Sequence, residues 1–131
     1  MNINLVHNKE AASIENYENI LTTEINKIAP NICTNIAIHN TLNYLTGDDL
    51  GMLIGKMRHG GTISIVSSDV MELAGALYLG HINTQQFSSF VVDNKAQYSV
   101  IDIKNFFESN GYVVESANVD NLHFNLKAKR P

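Results

Sequence analysis

Hydrophobic and polar positions along this chain switch between two periods, and each switch marks an element. Residues Asn2 to His7 alternate, with Ile3, Leu5 and Val6 apolar, which predicts a short strand broken by His7-Asn8-Lys9. From Glu15 to Ile28, Tyr17, Ile20, Leu21, Ile25 and Ile28 recur at helical spacing. They predict a helix that Pro30 ends, because the residue before proline disfavours helical backbone. Cys33 to His39 predicts a second strand, with Ile36 and Ile38 on one face and the small Ala37 on the other. An apolar stripe of Leu50, Leu53, Ile54 and Met57 predicts a helix from about Asp48, with Thr46 or Asp48 placed to cap it. Gly60-Gly61 permits a tight turn into Thr62–Val66, which is β-branched and apolar as a central strand should be.

The run from Asn35 to Val66 is therefore strand, polar turn, helix, glycine turn and strand. This is a βαβ unit, which makes parallel strands joined by a crossover helix. Asp69 is placed to cap a further helix in which Val70, Leu73, Ala74 and Leu77 share a face. Gly80 to Gln97 is polar and irregular, an excursion anchored by Phe87, Phe90, Val91 and Val92. Ser99 and Asp102 make a capping-box-like start to a helix that buries Ile103, Phe106 and Phe107 and closes at Gly111. Tyr112–Ala117 and Leu122–Ala128 form a hairpin around the turn-rich Asn118–Asn121. The order β-α-β-α-β-α-loop-α-β-β predicts an α/β fold, a three-layer α/β/α sandwich whose sheet is mostly parallel with an antiparallel C-terminal hairpin.

Length and composition narrow the function. At 131 residues, 44% hydrophobic and 17% charged, the sequence suits one globular domain over residues 1–131. A net charge of −4 argues against a general phosphate-backbone binder, and the basic end at Lys127, Lys129 and Arg130 is a solubilising strand end. One cysteine, Cys33, excludes an internal disulfide and suits a reducing, cytoplasmic setting, where it serves as a small packing residue. The start MNINLVHNKE does not resemble a signal peptide, and no apolar run approaches the ~20 residues of a membrane helix.

In open α/β sheets ligands bind beyond the carboxyl ends of the strands. The candidate positions are accordingly His39, Asn40, Thr41, Asn43 and Tyr44 after one strand and Ser67, Ser68 and Asp69 after the next. The turn residues equally satisfy local backbone, and Asp69 equally serves as a plain cap. His7, His39, His59, His81 and His123 are scattered and form no metal-binding pair with a nearby acid. Ser67 lacks the Gly-x-Ser-x-Gly elbow of a hydrolase. Tyr78, Phe87 and Phe90 could line an acceptor pocket or simply hold their loop down.

From Asn35 onward the chain resembles the second half of a class I, Rossmann-like S-adenosylmethionine-dependent methyltransferase. Thr41-Leu42-Asn43-Tyr44-Leu45 stands where that family has a hydrophobic-Leu-Glu-His-Leu-like turn. His59-Gly60-Gly61 stands at its Pro-Gly-Gly-like turn, and Tyr98-Ser99 and Gly111-Tyr112 match its late helix start and turn. The resemblance implies a Rossmann-like methyltransferase-type sheet. Should the chain hold S-adenosylmethionine, His7, Asn8, His39, Asn40, Thr41 and Asn43 are the residues for it. Tyr44, Ser67, Ser68 and Asp69 then face the acceptor.

The chain departs from the family at its start. It has no GxGxxG, and His7-Asn8-Lys9-Glu10-Ala11 follows the first strand instead of a glycine turn. One strand is expected before Cys33–His39 where the family has three. The expectation is a methyltransferase-like domain truncated of its donor-binding half, without a cofactor or independent catalysis. It would act as an interaction or regulatory module, alone or as a homodimer that covers an exposed sheet edge. The alternative is a minimal active methyltransferase with a rebuilt or subunit-shared donor site.

Overall fold

The computed structural model describes residues 1–8 and 10–131. Lys9, part of the expected strand break, lies outside them. Six strands form one sheet in the order β2-β1-β3-β4-β6-β5. They are β1 Asn2–Val6, β2 Glu18–Leu21, β3 Cys33–His39, β4 Met57–Ser68, β5 Val113–Asp120 and β6 His123–Lys129. β1, β2, β3 and β4 are mutually parallel, and β6 joins β4 antiparallel, with β5 paired outside it. This is the expected α/β sheet with an antiparallel C-terminal hairpin.

Two strands, not one, precede β3. The expected helix over Glu15–Ile28 is instead β2 followed by a 3₁₀ turn at Thr22–Lys27. The reason is visible in the residues. Thr22 and Thr23 are β-branched and weaken a helix where it would need to propagate. Ile25 and Ile28, three apart, are both buried, the spacing that a 3₁₀ turn places on one side.

Four α-helices follow: α1 Gly47–Ile54, α2 Val70–Tyr78, α3 Thr84–Val91 and α4 Val100–Ser109. Each begins at a side-chain cap. Thr46 with Asp49, Asn83 with Gln86 and Ser99 with Asp102 form capping boxes. The Asp69 carboxylate accepts from the Met71 and Glu72 amides of α2. The excursion expected to be irregular therefore contains α3. Its exposed Gln and Ser residues hid the helical period, while the Asn83–Gln86 box announced it.

The two sides of the sheet are covered unequally. Along β1, β3, β4 and β6, Ile3, Ile36, Ile63 and Ala128 lie in register, and Ile38, Ile65 and Leu126 form the next row. These pack in one cluster with Ile25 and Ile28, Leu50 and Leu53 of α1, and Ile103 and Phe107 of α4. Tyr98 and Tyr112 pin α1 to this layer, donating to the carbonyls of Leu45 at 2.7 Å and Ile54 at 2.8 Å. Burial pushes both phenols above their ordinary 10.0, with Asp49 adding to the rise at Tyr98 and Arg130 opposing it at Tyr112.

The opposite side carries Asn4, Asn35, Ala37, Thr62, Ser64, Asn125 and Lys127. Over β1 lies the helix-free 10–17 segment, whose Ala12 carbonyl accepts from Asn4 at 3.1 Å. Further across, Asn125, Lys127 and Lys129 are exposed.

Two turns fall differently from expectation. Gly60-Gly61 is not a turn before the strand but an irregularity inside β4, which already begins at Met57. Gly60 has φ +81, and a Cβ on Gly61 would collide with the Met57 sulfur and press on the carbonyls of Arg58 and Cys33 at 3.0 Å. The hairpin turn is Asn121-Leu122, both at positive φ, one step later than Asn118–Asn121 suggested. A left-handed leucine is unfavourable on its own. Here its carbonyl accepts the Asp69 amide at 2.8 Å, which ties the turn to the end of β4.

Candidate functional site

The carboxyl ends of β1, β3 and β4 open onto one rim, and most of the candidate residues gather there. Asn40 terminates β3 in the left-handed region, φ +62, which asparagine tolerates better than most residues. Its amide donates to the Val66 carbonyl at 2.7 Å, locking the ends of β3 and β4 together. Thr41 Oγ1 donates to the Leu5 carbonyl at 3.2 Å and so closes β3 onto β1. Both bonds hold the rim rigid and leave the Asn40 side chain exposed to the crevice.

Asn43 is the hub of the rim's second half. Its Nδ2 donates to the Ala96 carbonyl at 3.0 Å, and its Oδ1 accepts from Ser67 and Ser68 hydroxyls, each at 3.3 Å. Asp69 is 2% exposed, and its second carboxylate oxygen accepts the Val100 amide at 2.9 Å. Asn43, Ser67 and Ser68 thus bond to one another and to the 93–97 segment, while Asp69 satisfies the backbone at the starts of α2 and α4. Among the described residues no buried side-chain nitrogen or oxygen lacks a partner.

Two crevices adjoin at Asn40. One, of about 310 Å³, lies between β1 and β3 and is lined by Val6, His7, Ala11, Ile14, His39 and Thr41. The other, of about 290 Å³, is lined by Asn43, Tyr44, Ser68, Phe90, Asp93 and His123. The His7 and Tyr44 rings stand between them, stacked with centroids 4.2 Å apart and planes 6° from parallel. Asn8 Nδ2 and the His7 Nε2 are 3.1 Å apart, so the turn after β1 folds onto its own side chains.

The structure brings His7, His39, Asn40, Thr41, Asn43, Tyr44 and Ser68 to these crevices. Ser67 and Asp69 stand behind the rim, and Asn8 is held to His7. Sequence reasoning missed Ala11 to Ile14, Asp93, Asn94 and His123 as lining residues. His123 had a signal: antiparallel pairing of β6 with β4 puts it opposite Ser68, and Phe90 sits edge-on to it at 6.1 Å. Among the described residues no group of three or more His, Cys, Asp or Glu could hold a metal. No described helix is long and apolar enough to cross a membrane.

Cys33 lies at the far end of β3 from this rim, fully buried. Burial pushes its thiol above the ordinary 9.0, with the amino terminus and Lys56 pulling the other way. A thiol held neutral and enclosed is a packing group.

No family model and no curated protein matches the sequence. Solved structures do. The PH0226 protein of Pyrococcus horikoshii OT3 superposes with a TM-score of 0.61 at 14% identity, over 88% of this chain and 60% of its own. A chain of the complex containing the Trm112 methyltransferase activator of Haloferax volcanii gives 0.60 at 9%, over 92% and 64%. A SAM-dependent methyltransferase from Archaeoglobus fulgidus gives 0.60 at 13%, over 98% and 75%. The fold is the Rossmann-like α/β fold of these structures, the Archaeoglobus SAM-dependent methyltransferase among them. The chain spans less than two thirds of the length of the first two structures.

Proposed function

We propose that this chain is a truncated methyltransferase-like domain without independent methyl transfer, acting as an interaction or regulatory module in a reducing, cytoplasmic setting. The observation that carries this reading is the turn after β1. A nucleoside donor in this fold needs close backbone approach there, which glycine permits. The first glycine in the sequence is Gly47. The turn instead carries His7, whose ring is stacked on Tyr44 across the place where the two crevices would join.

The ribose side fits no better. β2 ends at Leu21 followed by Thr22, and the nearest acid beyond, Glu24, is paired with Lys27 at 3.0 Å. The residues present do not suit S-adenosylmethionine, so no catalytic step is derived through it.

Isothermal titration of the chain with S-adenosylmethionine and S-adenosylhomocysteine tests the reading. The expected result is no heat of binding, and low-micromolar affinity for either overturns it. One observation favours a second reading, a minimal active methyltransferase. The adjoining crevices at Asn40 would make one cleft if the ring pair parted, with His7, Asn8, His39, Thr41 and Asn43 toward the donor. Tyr44, Ser67, Ser68 and Asp69 would then lie toward the acceptor. The Haloferax neighbour, found with a methyltransferase activator, supports a protein partner under either reading. Methyl transfer that appears only when such a partner is added would establish the second.

A further inference from the structure

Helix α2 presents to solvent a face that its own fold does not use. Leu73 and Ala76 point inward. Opposite them, Met71 is 67% exposed, Tyr78 90% and Leu79 67%, with exposed Ala74 and Gly75 between. Isolated exposed apolar residues are ordinary, but a set on successive turns of one helix marks a contact surface. Gly75 is a second, independent observation. Glycine inside a helix weakens it relative to alanine. A Cβ at Gly75 would meet no atom within 4 Å, so nothing within the chain requires glycine there. Close approach by another backbone would. Gly51 of α1 is equally open, but exposed Asp48 and Met52 beside it offer no comparable apolar area.

The pattern identifies the occupant. Gly75 lies midway between Met71 and Leu79, so a two-fold axis beside it sets α2 antiparallel to a second α2. Glycine then faces glycine, and each Met71 faces a Leu79. The charges agree. Glu72 and His81 line the same groove of about 400 Å³, together with Met71, Gly75, Leu79 and Leu122. His81 is fixed at the far end of the stripe, because its amide donates to the Ala76 carbonyl at 2.8 Å and that of Gly80 to Leu77 at 3.2 Å. The same axis carries each Glu72 toward His81 of the partner subunit and keeps the two carboxylates apart. We propose that α2 is the interface of a homodimer, packed antiparallel about Gly75 and closed at both ends by Glu72–His81 contacts. This interface is distinct from the sheet edges and independent of what the crevices bind.

Sedimentation equilibrium of the full chain tests it. The expected result is a reversible dimer whose Kd rises about tenfold or more in Met71→Lys and in Leu79→Lys. Both positions are exposed, so circular dichroism and melting of the dissociated chain stay as in the parent. Glu72→Lys and His81→Glu each weaken the dimer, and the two together restore it. A chain that stays monomeric at the highest concentration reached overturns the proposal, as does a dimer indifferent to both lysines. A chain that uses α2 only to bind a different protein overturns it too.

Discussion

After Cys33, each of the four described α-helices starts at a side-chain cap, and the crossover between the parallel strands β3 and β4 runs through α1. Before Cys33, the described residues 10–17 between β1 and β2 hold no helix, and the 3₁₀ turn after β2 has no side-chain cap. Yet β1 and β2 run parallel with β3 and β4 in one sheet. Register in a sheet is set by which side of each strand is buried. Ile3 and Leu5 continue the rows of Ile36 and Ile38, so β1 is held by the shared core whether or not a helix follows it. The difference between the regions teaches that this fold can give up helical crossovers on one side while its sheet persists.

The largest effect expected from breaking this contrast is in the late region. Phe107 is 1% exposed and meets Phe106 and Tyr112 edge-on or tilted, with ring centroids 5.4 and 5.3 Å away. Phe107→Ala is expected to remove about 3–5 kcal/mol of stability, read from urea unfolding. Asp69→Ala comes next. It orphans the Met71, Glu72 and Val100 amides at once, and a loss of about 2 kcal/mol is expected by the same measurement. Ile20→Ala in β2 is smaller, about 1 kcal/mol, because Ile20 is only half-buried on an edge strand. Hydrogen exchange sharpens the comparison: the β2 amides should exchange well before those of Ile63 and Ile65 in the sheet interior. Equal protection in both would mean that the two regions open as one unit.

The same contrast decides what the sequence made legible. β3, α1 and α4 were readable as elements, and in α1 the Thr46 cap and the Leu50–Leu53 stripe agree, although Met57, expected on that stripe, begins β4 instead. β2 was not, because four strand residues and a 3₁₀ turn together imitate a helical period, and only the β-branched Thr22-Thr23 pair speaks against it. The hairpin turn was displaced because Leu122 adopts a backbone that local propensity disfavours and that Asp69, distant in sequence, helps to hold. The part of the rim at the end of β3 was predictable, since strand ends in α/β sheets fix where polar groups gather, whereas the lining from Ala11 to Ile14, Asp93, Asn94 and His123 was not. How the polar groups bond was not predictable either. That Asn43, Ser67 and Ser68 bond to one another depends on the relative height of β3 and β4, and that Tyr44 lies on His7 depends on how the chain leaves β1.

The smallest stability effect expected is also the most informative about the rim. His7 is exposed and Tyr44 half-buried. An aromatic pair of this kind contributes about 0.5–1.5 kcal/mol when buried and less in water. His7→Ala should therefore shift stability by less than about 1 kcal/mol, with the sheet unchanged, because β1 is held by Ile3 and Leu5. If the ring pair only separates two crevices that are otherwise joined, its removal should let Tyr44 move. That would be seen as a shifted Tyr44 ring resonance and faster exchange of amides near Asn40. If the connection through Ala11 and Ile14 closes the donor side by itself, the Asn40 region should stay as protected as before. The first outcome would make the stack the feature that separates this rim from a through-cleft. The second would place that barrier in the helix-free connection and extend the difference between the two regions from the sheet's coverage to its ligand-facing edge.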